Sequence, residues 1–488
     1  MARMDATAAE PLQTNARDRA SVVVDPTLMS IIKSAGAPAS GPKPLRPPAA
    51  IPGSMGFVDA VAGLVGTLRH GIAYASDAQE KYGNIYRWPF AGIPMVIVWE
   101  ADEVHKILRN EEQVWSTGLG WDSLMFEGLD ARAGNVGTLL SLDFDEHRVA
   151  RKLVQPAFTL KSIEGYLTIA DRSFASTVPA WVESGRVDFK PEVRTLLARA
   201  AGEIFTGMRD PEQVAIVDRA LSDFWSGMMA VARNPWLSPT FRKARKGLET
   251  LLRTFLELVP ERRKTGGDDL FSQMCRVADT DGLGDEAMVR VFITIMFGAF
   301  DTTSAGLTSM AYLLAKHPEW QERLREEARR IGSGPPDVSA MKGMKLHEYV
   351  WKETLRLMPV NGFVPRRALR DVVVGGYELP TGTLVMPMNG GMGRHPKWWT
   401  EPTKFDPERF SPERAEDKQH PGIFNPFGAG AHACVGMQLA NMEMKLFWHR
   451  LLTACRFRLT SEYEARHTFT PMGVVSGKVA LTLEPLHA

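Results

Sequence analysis

The chain has 488 residues, 44% hydrophobic and 24% charged, the profile of a globular protein rather than a disordered or fibrous one. Fifty-eight Lys and Arg against 57 Asp and Glu leave a formal charge of +1, which excludes the basic excess of a nucleic-acid binder. The three widely spaced cysteines, Cys275, Cys434 and Cys455, exclude a disulfide framework and point to a reducing, cytoplasmic compartment.

Residues 1–30 are polar and charged, without the apolar centre of a secretory signal, and 35–56 are rich in Pro, Gly, Ala and Ser. Residues 1–56 therefore read as an extended or mobile leader and 57–488 as a single folded domain. Apolar spacing predicts a helix over 57–82, then short strands over 84–88 and 94–99 joined through Ala91 and Gly92. Helical patterns dominate afterwards, over 101–110, 145–158, 211–232, 241–259, 285–316, 319–331, 346–358 and 437–454. Strand-like stretches return at 372–374, at 384–388, and in a terminal hairpin predicted over 469–483 with Gly477 near its turn. The fold class that follows is mainly α (α+β), a helical body with small peripheral sheets. The longest apolar run, Val291 to Phe300, has ten residues. A membrane span needs roughly 20, so no membrane anchor is expected.

Chemistry concentrates in the segment from Phe427 to Gly436. Cys434 ends a glycine-rich loop just before the 437–454 helix, where unpaired amides and the positive helix end stabilise a thiolate. An isolated cysteine is more often an inert core residue, which is how Cys275 and Cys455 read. Zinc is excluded as the metal because His432 and Cys434 supply only two of its four usual ligands. In the 285–316 helix, Gly298-Ala-Phe-Asp-Thr-Thr303 sets an acid and two hydroxyls inside an apolar run. Thr302 can bond back to the Gly298 carbonyl and open the helix there. Glu353 and Arg356 share one helix face, as do His147 and Arg151.

Together these segments resemble the cytochrome P-450 family. Phe427, Gly430, His432, Cys434, Gly436, Leu439, Ala440, Glu443 and Lys445 match its heme-binding signature, and 298–303 looks like its oxygen-activation motif, with Ala299 where a second glycine is common. Glu353-Thr-Leu-Arg356, followed by Phe405-Asp-Pro-Glu-Arg-Phe410, keeps the family order. The resemblance implies the cytochrome P-450 fold, heme b as cofactor, Cys434 as iron ligand, and Asp301 with Thr302 as the catalytic pair that delivers protons during oxygen activation. It implies that His432, His147, Arg151 and Arg366 meet the heme propionates, with Arg367 the competing neighbour and one of those two arginines left solvated. Phe427, Gly428, Gly436, Ala440 and Ala299 would lie against the ring, and Glu353, Arg356 and Arg409 would form a buried network supporting the cysteine loop.

The reaction expected is insertion of one oxygen atom from O2 into an apolar small molecule held by Trp121, Phe126, Phe300, Val360, Phe363 and Val474. Fatty acids, terpenoids, steroids and aromatic compounds all stay open. Electrons would come from a separate ferredoxin or flavodoxin-type donor with its reductase, docking at Arg148 and Lys152. A peroxide-using or isomerising heme-thiolate enzyme and a non-catalytic heme sensor are the alternatives. Neither needs the acid and hydroxyl at 301 and 302.

Overall fold

The computed structural model describes residues 48–486 apart from 91–92, 127–128, 130–136, 229, 231–233, 279–283, 333 and 470–471. The expectations for 1–47, for the Ala91–Gly92 turn and for 231–232 lie outside the described residues. The leader expected to reach residue 56 ends sooner. Ile51 is fully buried, the Arg87 amide donates to the Pro52 carbonyl at 2.8 Å, and Gly53 pairs with Arg87. One apolar side chain amid the Pro and Gly is enough to dock the segment.

The chain runs through α1 (Phe57–Tyr82), β1 (Ile85–Phe90), β2 (Ile93–Val98), α2 (Ala101–Arg109), β3 (Trp115–Ser116) and α3 (Thr117–Trp121), which passes into a π-turn over Asp122–Phe126. There follow α4 (Phe144–Val154), α5 (Leu160–Ser184), β4 (Arg186–Asp188), α6 (Phe189–Thr206), α7 (Pro211–Met228), α8 (Pro239–Thr265) and α9 (Leu270–Ala278). Next come α10 (Asp285–Ala299), α11 (Asp301–Lys316), α12 (Pro318–Ile331), α13 (Val338–Gly343) and α14 (Lys345–Leu357). The last part holds β5 (Arg366–Ala368), β6 (Val372–Val374), β7 (Tyr377–Leu379), β8 (Leu384–Pro387), α15 (Met437–Ala454), β9 (Cys455–Leu459), β10 (His467–Phe469), β11 (Gly473–Val475) and β12 (Ala480–Pro485).

The mainly helical class is the one expected. The helices α5, α6 and α9 were not among the predicted elements, although their signals are present. In α5, Ile163, Tyr166, Leu167, Ala170, Phe174, Val178 and Trp181 bury one face, Thr159 caps the start and Gly185 closes the end. Internal Pro179 and many hydroxyls blur that 3.6-residue period.

One five-stranded sheet has the order β1-β2-β8-β5-β3, antiparallel except where β2 meets β8. The terminal hairpin takes a different partner from the one predicted. β10 pairs with β11, whereas β12 lies between β4 and β9. Alternation in β12 buries Leu481 and Leu483, so long-range burial outweighs the local turn at Gly477. One apolar core fills the helical body and a second lies on the sheet. By length and composition Asp285–Lys316 could cross a membrane, yet most of it is buried inside the protein, as befits a core helix.

His467 joins three parts of the fold. Its Nδ1 accepts from the Ile72 amide next to the α1 kink at Gly71, and its Nε2 donates to the Pro359 carbonyl at 2.8 Å. Nδ1 can accept only in the neutral ring, and burial pushes its pKa down from 6.5 to about 3. Burial also lowers His347 and His449. The unfolded chain takes up protons near pH 6.5 while the folded rings stay neutral. Stability is therefore complete above that pH and is lost as pH falls from about 6.5 toward 3. Thermal unfolding should show the midpoint dropping steadily from pH 7 to pH 5, less steeply in His467→Gln. A midpoint that stays flat over that interval would contradict this account.

Candidate active site

The cysteine loop is shaped by its backbone. The Cys434 amide donates to the Phe427 carbonyl at 2.8 Å, the Gly428 amide to Asn425 at 3.0 Å, and the Ala433 amide to Gly430 at 3.1 Å. Gly430 has φ 69°, and a Cβ there would sit 2.6 Å from the Leu108 carbonyl oxygen at the end of α2, so only glycine fits. The Cys434 thiol opens on an internal cavity while the surrounding protein encloses it. That enclosure pushes the thiol pKa up; hydrogen bonds from the Gly436 amide, the Arg151 charge and the Met437 amide pull it back toward the thiolate. The loop thus offers donors to a sulfur anion at the start of α15.

The cavity has a volume of about 300 Å³ and lies where the helical core meets the sheet core. At one end His147, Arg151, Arg366 and His432 converge. The two imidazole centroids are 3.9 Å apart. Burial, and then the neighbouring arginines, push His147 down to about 4, and burial with His147 and those arginines pushes His432 well below its usual range. Burial also lowers Arg366 to about 10, and its Nε has no partner. The nearby carboxylate, Asp143, is engaged by the Thr117 amide at 2.8 Å and by Ser116. Such a crowd of donors with so little negative charge suits a ligand bearing carboxylates, and heme brings two. The walls are correspondingly bare. A Cβ on Gly298 would meet nothing within 4 Å, and one on Gly436 would meet only Phe158 and the Cys434 sulfur, at 3.8 and 4.0 Å. A flat ring therefore fits between α10 and the cysteine loop, beside Ala299, Phe427, Gly428 and Ala440, all of which face the cavity.

Arg366 faces the cavity, but Arg367, one residue along β5, points to the opposite face and donates to Ser123. The expectation that one of the two stays solvated is overturned: both are buried, because β5 lies between β8 and β3 with both faces covered.

Between α10 and α11 the helix breaks at Phe300 (φ −109°, ψ −32°), where an opening was expected. Thr302 Oγ1 donates to the Gly298 carbonyl at 2.7 Å, and both residues face the cavity. Asp301 does not line it. Its Oδ1 accepts from Arg194 Nε on α6 at 2.7 Å, and Arg194 Nη2 also reaches Asp218 at 3.3 Å and Ser222 at 3.1 Å on α7. Burial raises the Asp301 pKa and Arg194 opposes that rise. Arg194 was invisible to sequence reasoning, since a lone arginine more than a hundred residues from its partner leaves no local signature.

The apolar wall is corrected in two places. Trp121, Phe126, Val360 and Phe363 line the cavity as expected, whereas Phe300 and Val474 do not. Phe300 lies two residues from both Gly298 and Thr302, about 200° around the helix, and so faces α6 and α7. Val474 packs into the core within the β10–β11 pair, and Met472, just ahead of β11, reaches the cavity instead. The cavity also receives Phe205, Trp225, Thr294 and Phe297, together with two buried polar groups: Asn389, whose Oδ1 has no partner, and Glu443, whose carboxyl burial pushes up to about 8. Phe205 comes from a helix that was not predicted. Thr294 and Phe297 precede Gly298 and Thr302 on the same helical face, a period that pointed to them.

Glu353, Arg356 and Arg409 meet in a buried cluster. Glu353 accepts two bonds from Arg356, at 2.6 and 2.8 Å, and one from Arg409 at 3.3 Å. The remaining guanidinium donors go to Gly393, Pro402, Lys404, Glu401 and Thr400 carbonyls and to Glu416, a fourth member not foreseen. α14 is thereby locked to the 393–416 segment that leads into the cysteine loop.

Comparison with known proteins agrees with this geometry. The family model for cytochrome P-450 matches residues 62–484. The chain is 32% identical over 456 residues to cytochrome P-450 136 of Mycobacterium tuberculosis, covering 92% of this chain and 90% of that one. It is 27% identical to abscisic acid 8'-hydroxylase 2 of rice (Oryza sativa subsp. indica), over 90% of this chain and 87% of that one. Among solved structures, retinoic acid bound cyanobacterial CYP120A1 superposes with a TM-score of 0.77 at 23% identity, covering 87% of this chain and 96% of that one. A thiol loop, a cation-rich cofactor end and a broken helix across the cavity, joined to a family match over most of its length, establish that this chain belongs to the cytochrome P-450 family and is a heme-dependent monooxygenase.

Proposed function

We infer that this monooxygenase hydroxylates an apolar small molecule, with electrons delivered by a separate ferredoxin or flavodoxin-type protein and its reductase. The observation that supports this reading best is Thr302, held on the cavity wall at the helix break with Asp301 directly behind it. When bound, heme supplies the activation of dioxygen, with the Cys434 thiolate as its ligand. His147, Arg151, Arg366 and His432 orient the cofactor through its carboxylates. Trp121, Phe126, Val360 and Phe363 bind the substrate and exclude water. Thr302 Oγ1, fixed by the Gly298 carbonyl, holds a proton at the cavity wall, and the Asp301 carboxyl resupplies it. Asp218, 38% exposed, meets the same guanidinium on its solvent side. Arg194 is a positioning residue. Abscisic and retinoic acids, named for two relatives, are both isoprenoid acids, which makes isoprenoids the first substrates to try. The unpaired cysteines support a cytoplasmic location.

Thr302→Ala is expected to keep the heme spectrum while product formed per electron falls roughly tenfold or more, since general acid catalysis supplies about 100- to 10,000-fold. The lost electrons should appear as hydrogen peroxide. Tight coupling in that variant would refute the role. Arg194→Gln removes the charge that opposes the Asp301 shift, so the limb of the pH–rate profile that Asp301 controls should move to higher pH. A profile that does not move would separate Arg194 from proton delivery.

For the donor, exposed Lys152 on α4 makes no ion pair with a described residue, whereas Arg148 is engaged by Asp145 at 2.9 Å. Lys152→Glu should therefore slow reduction at low salt more than Arg148→Glu does. Equal rates in both variants and the parent would place the docking face elsewhere.

A further inference from the structure

Asp143 stands at the N-cap of α4, where an aspartate ordinarily accepts from the first amides of its own helix, yet it makes no such bond. Its carboxylate turns to α3 instead. Oδ1 accepts from the Thr117 amide at 2.8 Å, and Oδ2 accepts from the Gly118 amide at 3.2 Å and from the Ser116 hydroxyl. That hydroxyl is itself the cap of α3, since its oxygen accepts from the Leu119 amide at 2.9 Å. The backbone bears strain to hold this arrangement. Phe144, the next residue, has φ 45°, a left-handed conformation that a bulky side chain keeps only where its surroundings fix it.

Close backbone approaches lock the contact on both sides. A Cβ on Gly118 would lie 2.4 Å from the Ser141 carbonyl oxygen, and one on Gly120 would lie 2.6 Å from that of Pro365, so α3 is wedged between the chain entering α4 and the chain entering β5. Those two segments carry His147 and Arg151 on one side and Arg366 on the other, and His432 Nε2 is 3.9 Å from Asp143 Oδ1. The start of α3 is thereby registered on the residues that hold the cofactor end. Directly after it, Trp121, Met125 and Phe126 supply part of the apolar wall. We propose that Asp143 is a positioning residue for substrate: it fixes α3 and the π-turn against the cofactor end, so that apolar ligands depend on it while attachment of the heme does not. This rests on the assignment of Trp121 and Phe126 to substrate binding.

The test titrates the heme-loaded chain with 1-methylimidazole and 1-octylimidazole, read by the optical shift as nitrogen binds the iron. Both present the same nitrogen, and the octyl chain adds only apolar surface to be buried. The parent should bind the octyl compound more tightly. In Asp143→Ala that advantage should shrink roughly tenfold or more, because two amides and a hydroxyl lose their acceptor. Affinity for 1-methylimidazole and the carbon monoxide spectrum should stay those of the parent. Asp143→Asn keeps one acceptor oxygen and should restore part of the advantage, and it carries the test if the alanine variant does not fold. Ser116→Ala cuts the same tie from the α3 side, so the pair Asp143→Asn/Ser116→Ala should be scarcely worse than either change alone. The proposal is overturned if the octyl advantage survives intact in these variants, or if both imidazoles weaken together, which would place Asp143 at the cofactor. Phe126→Ala separates the two readings. Loss of the octyl advantage there, with none in the Asp143 variants, refutes Asp143 alone; an advantage that persists in Phe126→Ala refutes the substrate wall and the proposal with it.

Discussion

Cys434→Ser should leave a folded chain that has lost its optical signature and its turnover together. The loop around this position is held by backbone bonds, Cys434 amide to Phe427 carbonyl and Ala433 amide to Gly430 carbonyl, which a serine keeps. Only the sulfur changes. The donors that favour a thiolate, the Gly436 and Met437 amides and the Arg151 charge, cannot ionise a hydroxyl whose pKa lies far above that of a thiol. Reduced protein under carbon monoxide should therefore lose the red-shifted Soret band of thiolate ligation, and hydroxylation should fall to background. Circular dichroism should be unchanged, which separates a ligation defect from misfolding. An unshifted spectrum in the parent, or an identical one in the variant, would remove the basis of the proposed chemistry.

The second large effect is on stability. Glu353 is fully buried, with Arg356 and Arg409 both turned toward it. Glu353→Ala would leave the buried Arg356 guanidinium without a carboxylate and Arg409 with Glu416 alone, and breaking a buried pair in this way costs about 3–5 kcal/mol. A domain has only about 5–15 kcal/mol in total. The variant should therefore unfold at markedly lower urea, or fail to accumulate, and heme uptake should fall with it. Arg409→Ala should destabilise less, because Glu416 keeps Arg414 and the Thr400 amide while Glu353 keeps Arg356 and the Asp406 amide. Glu353→Gln keeps an acceptor oxygen and should lie between the parent and Glu353→Ala. If Glu353→Ala melts within a kcal/mol of the parent in urea titrations, the cluster is not what holds the cysteine loop.

Local chemistry was legible where it is contiguous. The glycines, His432 and Cys434 stand within one loop, and Gly298 with Thr302 or Glu353 with Arg356 within one helical turn, so spacing alone set their relation. The same rule should have excluded Phe300, which lies on the far side of the helix from Thr302. The helices α5 and α6 were harder to see, since Pro179 and scattered hydroxyls interrupt the first of them.

By itself, then, the amino-acid order determined the helical class, the thiolate loop, the helix break and the pairing of Glu353 with Arg356, all relations that a few turns of backbone transmit. Only the folded chain decided that Arg366 and not Arg367 turns to the cofactor end, that β12 leaves its neighbour for β4 and β9, and that Arg194 clasps Asp301. Each of these depends on which distant segments share the interior, where burial and charge pairing act through space, across separations that no local period records.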